Sequence, residues 1–189
     1  MARVERSEIL DFLTYADRRE AIRAAAMAAK DLRRVHLGEH LTLLFENRET
    51  IRYQIQEMVR AEQMVREADI QHELDTYNAV LGGEGELGCT LLIEIPDAAL
   101  RPVLLRRWRT LPSHLYLTFT DGTRAAARFD EAQMNDEKLS SVQFLTFPVG
   151  PRVPAGLVVD LPDLAASAPL PPATRQALLE DLGRLPPGA

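Results

Sequence analysis

Cysteine is almost missing from this sequence. Cys89 is the only one among 189 residues. The chain therefore forms no internal disulfide and cannot alone supply the thiolates of a structural zinc or an iron–sulfur cluster. Long apolar runs are missing as well. The tract Ala24-Ala25-Ala26-Met27-Ala28-Ala29 falls far short of the ~20 residues a membrane-spanning helix needs. Arg3, Glu5, Arg6, Glu8, Asp11, Asp17, Arg18 and Arg19 leave no apolar leader in the opening segment. These shortages set the expectation of a cytoplasmic protein without membrane contact. Positive charge is also in deficit, with 22 Lys and Arg against 28 Asp and Glu and a net charge of −6. That balance disfavours nucleic acid as a partner.

Motifs for common chemistries are missing too. No Gly-x-Ser-x-Gly elbow occurs, and no glycine-rich phosphate loop follows a strand. Gly82-Gly83-Glu84-Gly85 sits among acids that would repel phosphate. No Glu-x-x-His pair exists, which argues against a rubrerythrin-type di-iron site within the chain. The histidines His36, His40, His72 and His114 show no ligand spacing on a helix, because Gly38 makes a turn of the first pair. They read as ordinary surface or turn residues.

What remains is a normal globular balance, 46% apolar and 26% charged, enough for one domain with a real core. Residues 41–94 carry four basic against eleven acidic residues, so a binding role there favours cations. Nine of the twelve prolines lie from Pro148 onward. The expected organisation is one α+β domain over residues 1–165, followed by a proline-rich tail, 166–189, with a short C-terminal helix.

Patterning places the elements. Ser7 is expected to cap a short helix, and Asp17 with Glu20 a second one running to about Lys30. Val35–Leu37 and Leu41–Glu46 flank a turn at Gly38-Glu39 and read as a hairpin. Asn47 caps an expected long helix over about 48–68, with Ile51, Ile55, Met58 and Val65 on one face. A helix through Ile70, Leu74 and Tyr77 follows. The glycine-rich segment Gly82 to Gly88 reads as an unpacked loop. Cys89–Ile95 is an expected strand and Asp97–Trp108 an expected helix. Leu115–Phe119 and Thr123–Phe129 read as a hairpin, Val142–Phe147 and Leu157–Val159 as strands, and Pro171 or Pro172 opens a last helix that stops at Gly183. Helices mixed with hairpins predict an α+β class with a mostly antiparallel sheet and helices packed on it.

Candidate chemistry comes from a short internal repeat. Thr42-Leu43-Leu44-Phe45-Glu46 and Thr90-Leu91-Leu92-Ile93-Glu94 share one pattern, and alternation puts Thr, Leu and Glu of each on one face. Were the two strands parallel neighbours, Glu46 and Glu94 would meet at one sheet end. They would then share a proton, hold a divalent metal, or pair with Arg48. Glu57 and Gln54 occupy an adjacent helix stripe and complete the candidate group. Glu62 falls on the apolar line and is expected to be paired, hydrogen-bonded or protonated. Lys30, Arg33 and Arg34 form a basic cluster read as a solvated helix end. Arg106, Arg107 and Arg109 around Trp108 are read the same way.

Segments Arg33-Arg34-Val35, Leu41 to Glu46, Asn47-Arg48-Glu49-Thr50 and Gln54-Ile55-Gln56-Glu57-Met58 resemble the bacterial domain-of-unknown-function family numbered 3501. The likeness continues at Glu73 to Asn78, Thr90 to Glu94, Asn135 to Lys138 and Ser141 to Phe147. The resemblance implies no settled activity. It implies a cytoplasmic protein often encoded beside rubrerythrin-like and iron–sulfur oxidoreductase proteins, and by that association an accessory role in redox or peroxide metabolism. The chain departs from the family pattern at Leu161-Pro162-Asp163-Leu164 and at Gln143, where histidines are expected. Two function classes follow. One is a non-catalytic accessory or interaction protein with a protein partner, free to form a homo-oligomer and needing no cofactor. The alternative is a small metal-dependent or acid–base enzyme using Glu46, Glu94 and Glu57.

Overall fold

All five residues of Leu41–Phe45 are buried, although alternation would leave one face of a half-buried strand wet. Both faces of this strand are covered, and the architecture follows from that. A computed structural model describes residues 2–130 and 138–185. Among them the order is α1 (Phe12–Asp31), β1 (Arg34–Leu37), β2 (Leu41–Phe45), α2 (Arg48–Ala61), α3 (Glu67–Asn78), β3 (Glu86–Ile93), α4 (Arg101–Arg107), β4 (Leu115–Phe119), β5 (Arg124–Ala126), β6 (Arg128–Phe129), β7 (Val142–Pro148), β8 (Pro154–Val159), β9 (Ala166–Pro169) and α5 (Pro172–Asp181). The class is α+β, as the patterning predicts.

Two antiparallel sheets form, ordered β1-β2-β3-β7-β6 and β5-β4-β8-β9. Leu41, Leu43, Phe45, Leu87, Cys89, Leu91, Leu145 and Phe147 share the main core with Leu115, Leu117, Leu157 and Val159 of the second sheet. The other face of the first sheet is covered by helices. There Ile51, Ile55 and Val59 of α2 join Ile70 and Leu74 of α3 in a second core, against which Phe144 of β7 packs. Helices, first sheet and second sheet make three layers.

Several expected boundaries change, each for a local reason. The opening is one helix capped by Asp11, whose side chain accepts from Leu13 and Thr14 amides. Ser7 lies in a 3-10 turn and Asp17 inside α1. The helix expected over 48–68 is two helices. Asn47 does cap α2, but Gln63 takes φ 49°, with Met64 N–H bonded to Val59 O and Gln63 N–H to Arg60 O. This is the Schellman stop, normally marked by glycine. It leaves Val65 77% exposed and Glu62 exposed at the C-cap, neither on a buried stripe. The hairpin after Leu115 is interrupted at Ala127, where the chain leaves the second sheet and β6 joins β7 of the first.

The Gly82–Gly88 segment is packed rather than loose. Gly82 and Gly88 are buried, and a Cβ on Gly88 would lie 1.8 Å from the Val80 carbonyl oxygen. The segment from residue 166 supplies edge strand β9 beside β8 and then α5, whose Leu178 lies in the main core. Arg33 and Asp181 tie α5 to the end of α1 through two hydrogen bonds of 2.7 and 2.9 Å, both side chains under 10% exposed. Arg33 is therefore no solvated helix end. Trp108, expected among wet arginines, is 3% exposed in the main core. Asn135, Asp136 and Glu137 of the family-like text lie outside the described residues.

Candidate functional site

β2 and β3 run antiparallel, with Leu43 opposite Leu91. The parallel arrangement that would have joined Glu46 and Glu94 is therefore overturned. Glu46 N–H bonds Gly88 O at one end of the pair, and Glu94 N–H bonds His40 O at the other. Six residues of strand separate those positions, about 20 Å of backbone at ~3.3 Å per residue. No single cation bonded at ~2.0–2.6 Å joins the two carboxylates. The repeat does have a structural meaning. Thr90 Oγ1 donates to Glu46 at 2.7 Å, and Thr42 Oγ1 donates to Glu94 at 2.6 Å. Each threonine serves the glutamate of the other strand.

The remaining candidates are also dispersed. Glu57 accepts from Tyr15 Oη at 2.6 Å, from Arg19 at 2.8 and 3.0 Å, and from Arg60 at 3.3 Å, which fastens α1 to α2. Burial pushes its carboxyl up, but the Arg19 and Tyr15 hydrogen bonds and the Arg19 and Arg60 charges outweigh it, leaving about 2. Arg48 pairs with Glu8 at 2.7 Å and reaches Arg3 O, holding the N-terminal segment and not Glu46. Cys89 is fully buried, and burial, then the Glu46 charge, push its thiol well above the ordinary range. Such a thiol is inert. Among the described residues no group of three or more His, Cys, Asp and Glu is placed to hold a metal ion.

What the structure does bring together lies on the helix side of the first sheet. The alternation that sends Leu43 and Phe45 to the main core sends Leu44 and Glu46 to this face, with Thr90 and Leu92 beside them. Between them and the helices is a cavity of about 350 Å³. Leu44, Ile51, Leu92, Val142 and Phe144 give it apolar walls, and Lys30, Glu46, Gln54, Tyr77 and Thr90 bring polar groups. The elements converge because Lys30 lies in the last turn of α1, α2 starts just beyond Glu46, and α3 crosses at Tyr77.

Glu46 is 6% exposed and its two oxygens are both engaged, by Thr90 and by Thr50 Oγ1 at 2.5 Å. Thr50 is held in turn by the Asn47 capping box at the start of α2, where the helix dipole favours negative charge. Lys30 is half-buried, and its Nζ lies 5.2 Å from the centroid of the Tyr53 ring. Burial pushes its ammonium below the usual lysine range, against the opposing charge of Glu46. Among the described residues Lys30 has no carboxylate at ion-pair distance, and the Gln54 amide and Tyr77 hydroxyl have no hydrogen-bond partner.

Of the sequence candidates, Glu46 and Gln54 thus line one cavity, while Glu94, Glu57, Arg48 and Glu62 lie elsewhere. Sequence reasoning missed Lys30, Thr50 and Tyr77. The capping position of Thr50, three residues after Asn47, was the one available signal for it. Lys30 carried none, since three basic residues at a helix end are ordinarily wet.

The fold and cleft define an α+β protein of two antiparallel sheets with a helix-covered ligand-sized cavity. No helix among the described residues is long and apolar enough to cross a membrane. The chain belongs to the family described as protein of unknown function DUF3501, whose profile matches residues 3–182. It is also similar to a solved structure from Burkholderia pseudomallei K96243, described as a novel protein of unknown function. That likeness has 32% identity and a TM-score of 0.89, and covers 96% of this chain and 100% of the other. No curated protein matches the chain significantly.

Proposed function

We propose that this protein is an accessory protein that binds a small molecule in the cleft between α1–α3 and the first sheet, and acts through what it holds rather than by turnover. One observation carries the reading. Three side chains, Lys30, Gln54 and Tyr77, bring polar groups without a hydrogen-bond or ion-pair partner among the described residues into a mostly apolar cavity of about 350 Å³. That size, with apolar walls and a few converging polar groups, is the makeup of a small-ligand site. Glu46, the buried acid of the cleft, already accepts two hydroxyl groups. It stiffens the site and is not positioned as a free base. An enzyme built on Glu46, Glu94 and Glu57 has no shared site to work in, and neither does a divalent metal held by the first two.

The finer expectation of a cytoplasmic setting rests on the single cysteine and the charged opening segment together with the family resemblance, that of redox-enzyme partners on the resemblance alone, and both belong to this proposal. In it, the cleft supplies the small molecule and the outer surfaces supply the partner contact. The test is an amide NMR spectrum of the full chain, recorded against a mixture of neutral, anionic and cationic fragments. Shifts confined to residues around Lys30, Leu44, Gln54, Tyr77 and Leu92 are expected. Absence of any shift there with every fragment class would overturn the reading.

A further inference from the structure

We propose that the cleft selects a monocarboxylate: one carboxylate seated on Lys30, with an apolar body against Leu44, Leu92 and Phe144. The inference rests on the reading of the cleft as a ligand site and adds the charge and polarity of its occupant.

Three charged groups surround Lys30. Glu46, Arg34 and Glu57 are the ones that act on its ammonium. Arg34 is matched by Asp31 at 3.0 Å, and Glu57 is surrounded by Arg19, Arg60 and the Tyr15 hydroxyl. Glu46 is held by hydroxyls alone. The cleft therefore carries one cation without an ion-paired anion and one buried carboxylate already satisfied by hydroxyls. A half-buried ammonium without an ion partner gains a charge-assisted hydrogen bond when a ligand carboxylate reaches it.

The rest of the wall narrows the class. The Gln54 amide and the Tyr77 hydroxyl supply further donors, enough for the two oxygens of one carboxylate. A second negative charge on the ligand would find no second cation in the lining and would add to the repulsion from Glu46, which disfavours dicarboxylates and phosphate dianions. An amine would meet Lys30 and be repelled there. Five apolar side chains line the remaining space, and Val142 is 42% exposed, surface that an aliphatic or aromatic body would cover.

Calorimetry on the full chain tests this with four ligands of equal chain length: octanoate, octanedioate, octylamine and octanol. Octanoate is expected to bind, with octanedioate and octylamine at least about tenfold weaker. Lys30→Gln is expected to lower octanoate affinity at least about tenfold, and Lys30→Arg to retain it within a few-fold. Lys30→Gln gives up the Tyr53 ring contact but no ion pair among the described residues, so it should stay folded, and a melting curve checks this. Octylamine or octanol binding as tightly as octanoate overturns the carboxylate proposal. So does unchanged octanoate affinity in folded Lys30→Gln, or no octanoate binding at all. If octanol or octylamine binds with amide shifts around the cleft, the ligand-site reading survives and only the carboxylate fails. Silence from all four, together with no cleft shifts in the fragment experiment, removes both.

Discussion

Thr90 on β3 donates a 2.7 Å hydrogen bond to Glu46 beyond the end of β2, and Thr42 on β2 returns a 2.6 Å bond to Glu94 beyond the end of β3. The two bonds are related by a local two-fold through the Leu43–Leu91 pair. Their surroundings differ. Glu46 lies under the start of α2 and receives Thr50 as well, whereas Glu94 is exposed and its Thr42 partner also meets His36 Nδ1 at 2.9 Å. One end became the wall of a cavity and the other stayed at the surface.

That asymmetry predicts unequal costs for matched substitutions. Thr90→Val leaves one oxygen of buried Glu46 without a donor and should lose about 1–3 kcal/mol of stability. Thr42→Val leaves exposed Glu94 to water and should lose less than about 1 kcal/mol. Urea denaturation of both variants measures the difference. Equal losses, or the reverse order, would contradict the account.

Asp181→Ala removes the partner of Arg33 where both side chains are under 10% exposed. Breaking a buried pair on one side costs about 3–5 kcal/mol, because the remaining charge stays buried. The same change frees the contact between Asp181 and the Asn47 amide at the α2 cap. A loss under about 1 kcal/mol in denaturant would show that α5 is not fastened this way.

Acid should act on Glu57. Its carboxyl sits at about 2 in the folded chain, against an ordinary value of 4.5. The lowered folded value means that the stabilisation is present above 4.5 and is lost as pH falls toward 2. Glu57→Gln should therefore show a flatter decline in stability over that window than the parent. Denaturation midpoints measured between pH 5 and pH 2 check it. Parallel curves would remove Glu57 from the acid response.

Gly88→Ala places a Cβ 1.8 Å from the Val80 carbonyl oxygen, which is backbone and cannot swing aside. The variant is expected to lose at least about 4 kcal/mol, an exceptional amount for one methyl group, or to fail to accumulate folded. Thermal melting beside Gly122→Ala, whose added Cβ meets nothing within 4 Å and which bears only the strain of a left-handed φ of 81°, gives the comparison. A near-parental melting temperature for Gly88→Ala would contradict the packing of β3 against the α3 exit.

The sequence was most readable where a local rule had no competitor. Asn47 capped a helix, Gly183 ended one at φ 70°, and the Leu41–Glu46 hairpin strand was plain. The stop at Gln63 was hidden because the left-handed position carried glutamine instead of glycine. The apolar spacing then ran on to Val65 as though the helix continued. The Thr-Leu-Leu-apolar-Glu repeat was visible, but strand direction depends on the whole sheet, so its two glutamates were brought together wrongly. The cleft was hardest to see. Lys30, Gln54, Tyr77 and Glu46 come from four elements, and only the packing of α1–α3 on the first sheet makes them neighbours. Gly88 misled for a similar reason, since its contact is with Val80 of the preceding α3 exit.

The most direct test is a crystal of the full chain soaked with a bromine-tagged monocarboxylate, such as 8-bromooctanoate, and measured at the bromine edge. The account predicts carboxylate density at Lys30 Nζ and an anomalous peak along the apolar wall of Leu92 and Phe144. Bromine found only outside the cleft, or a carboxylate bound away from Lys30, would contradict it.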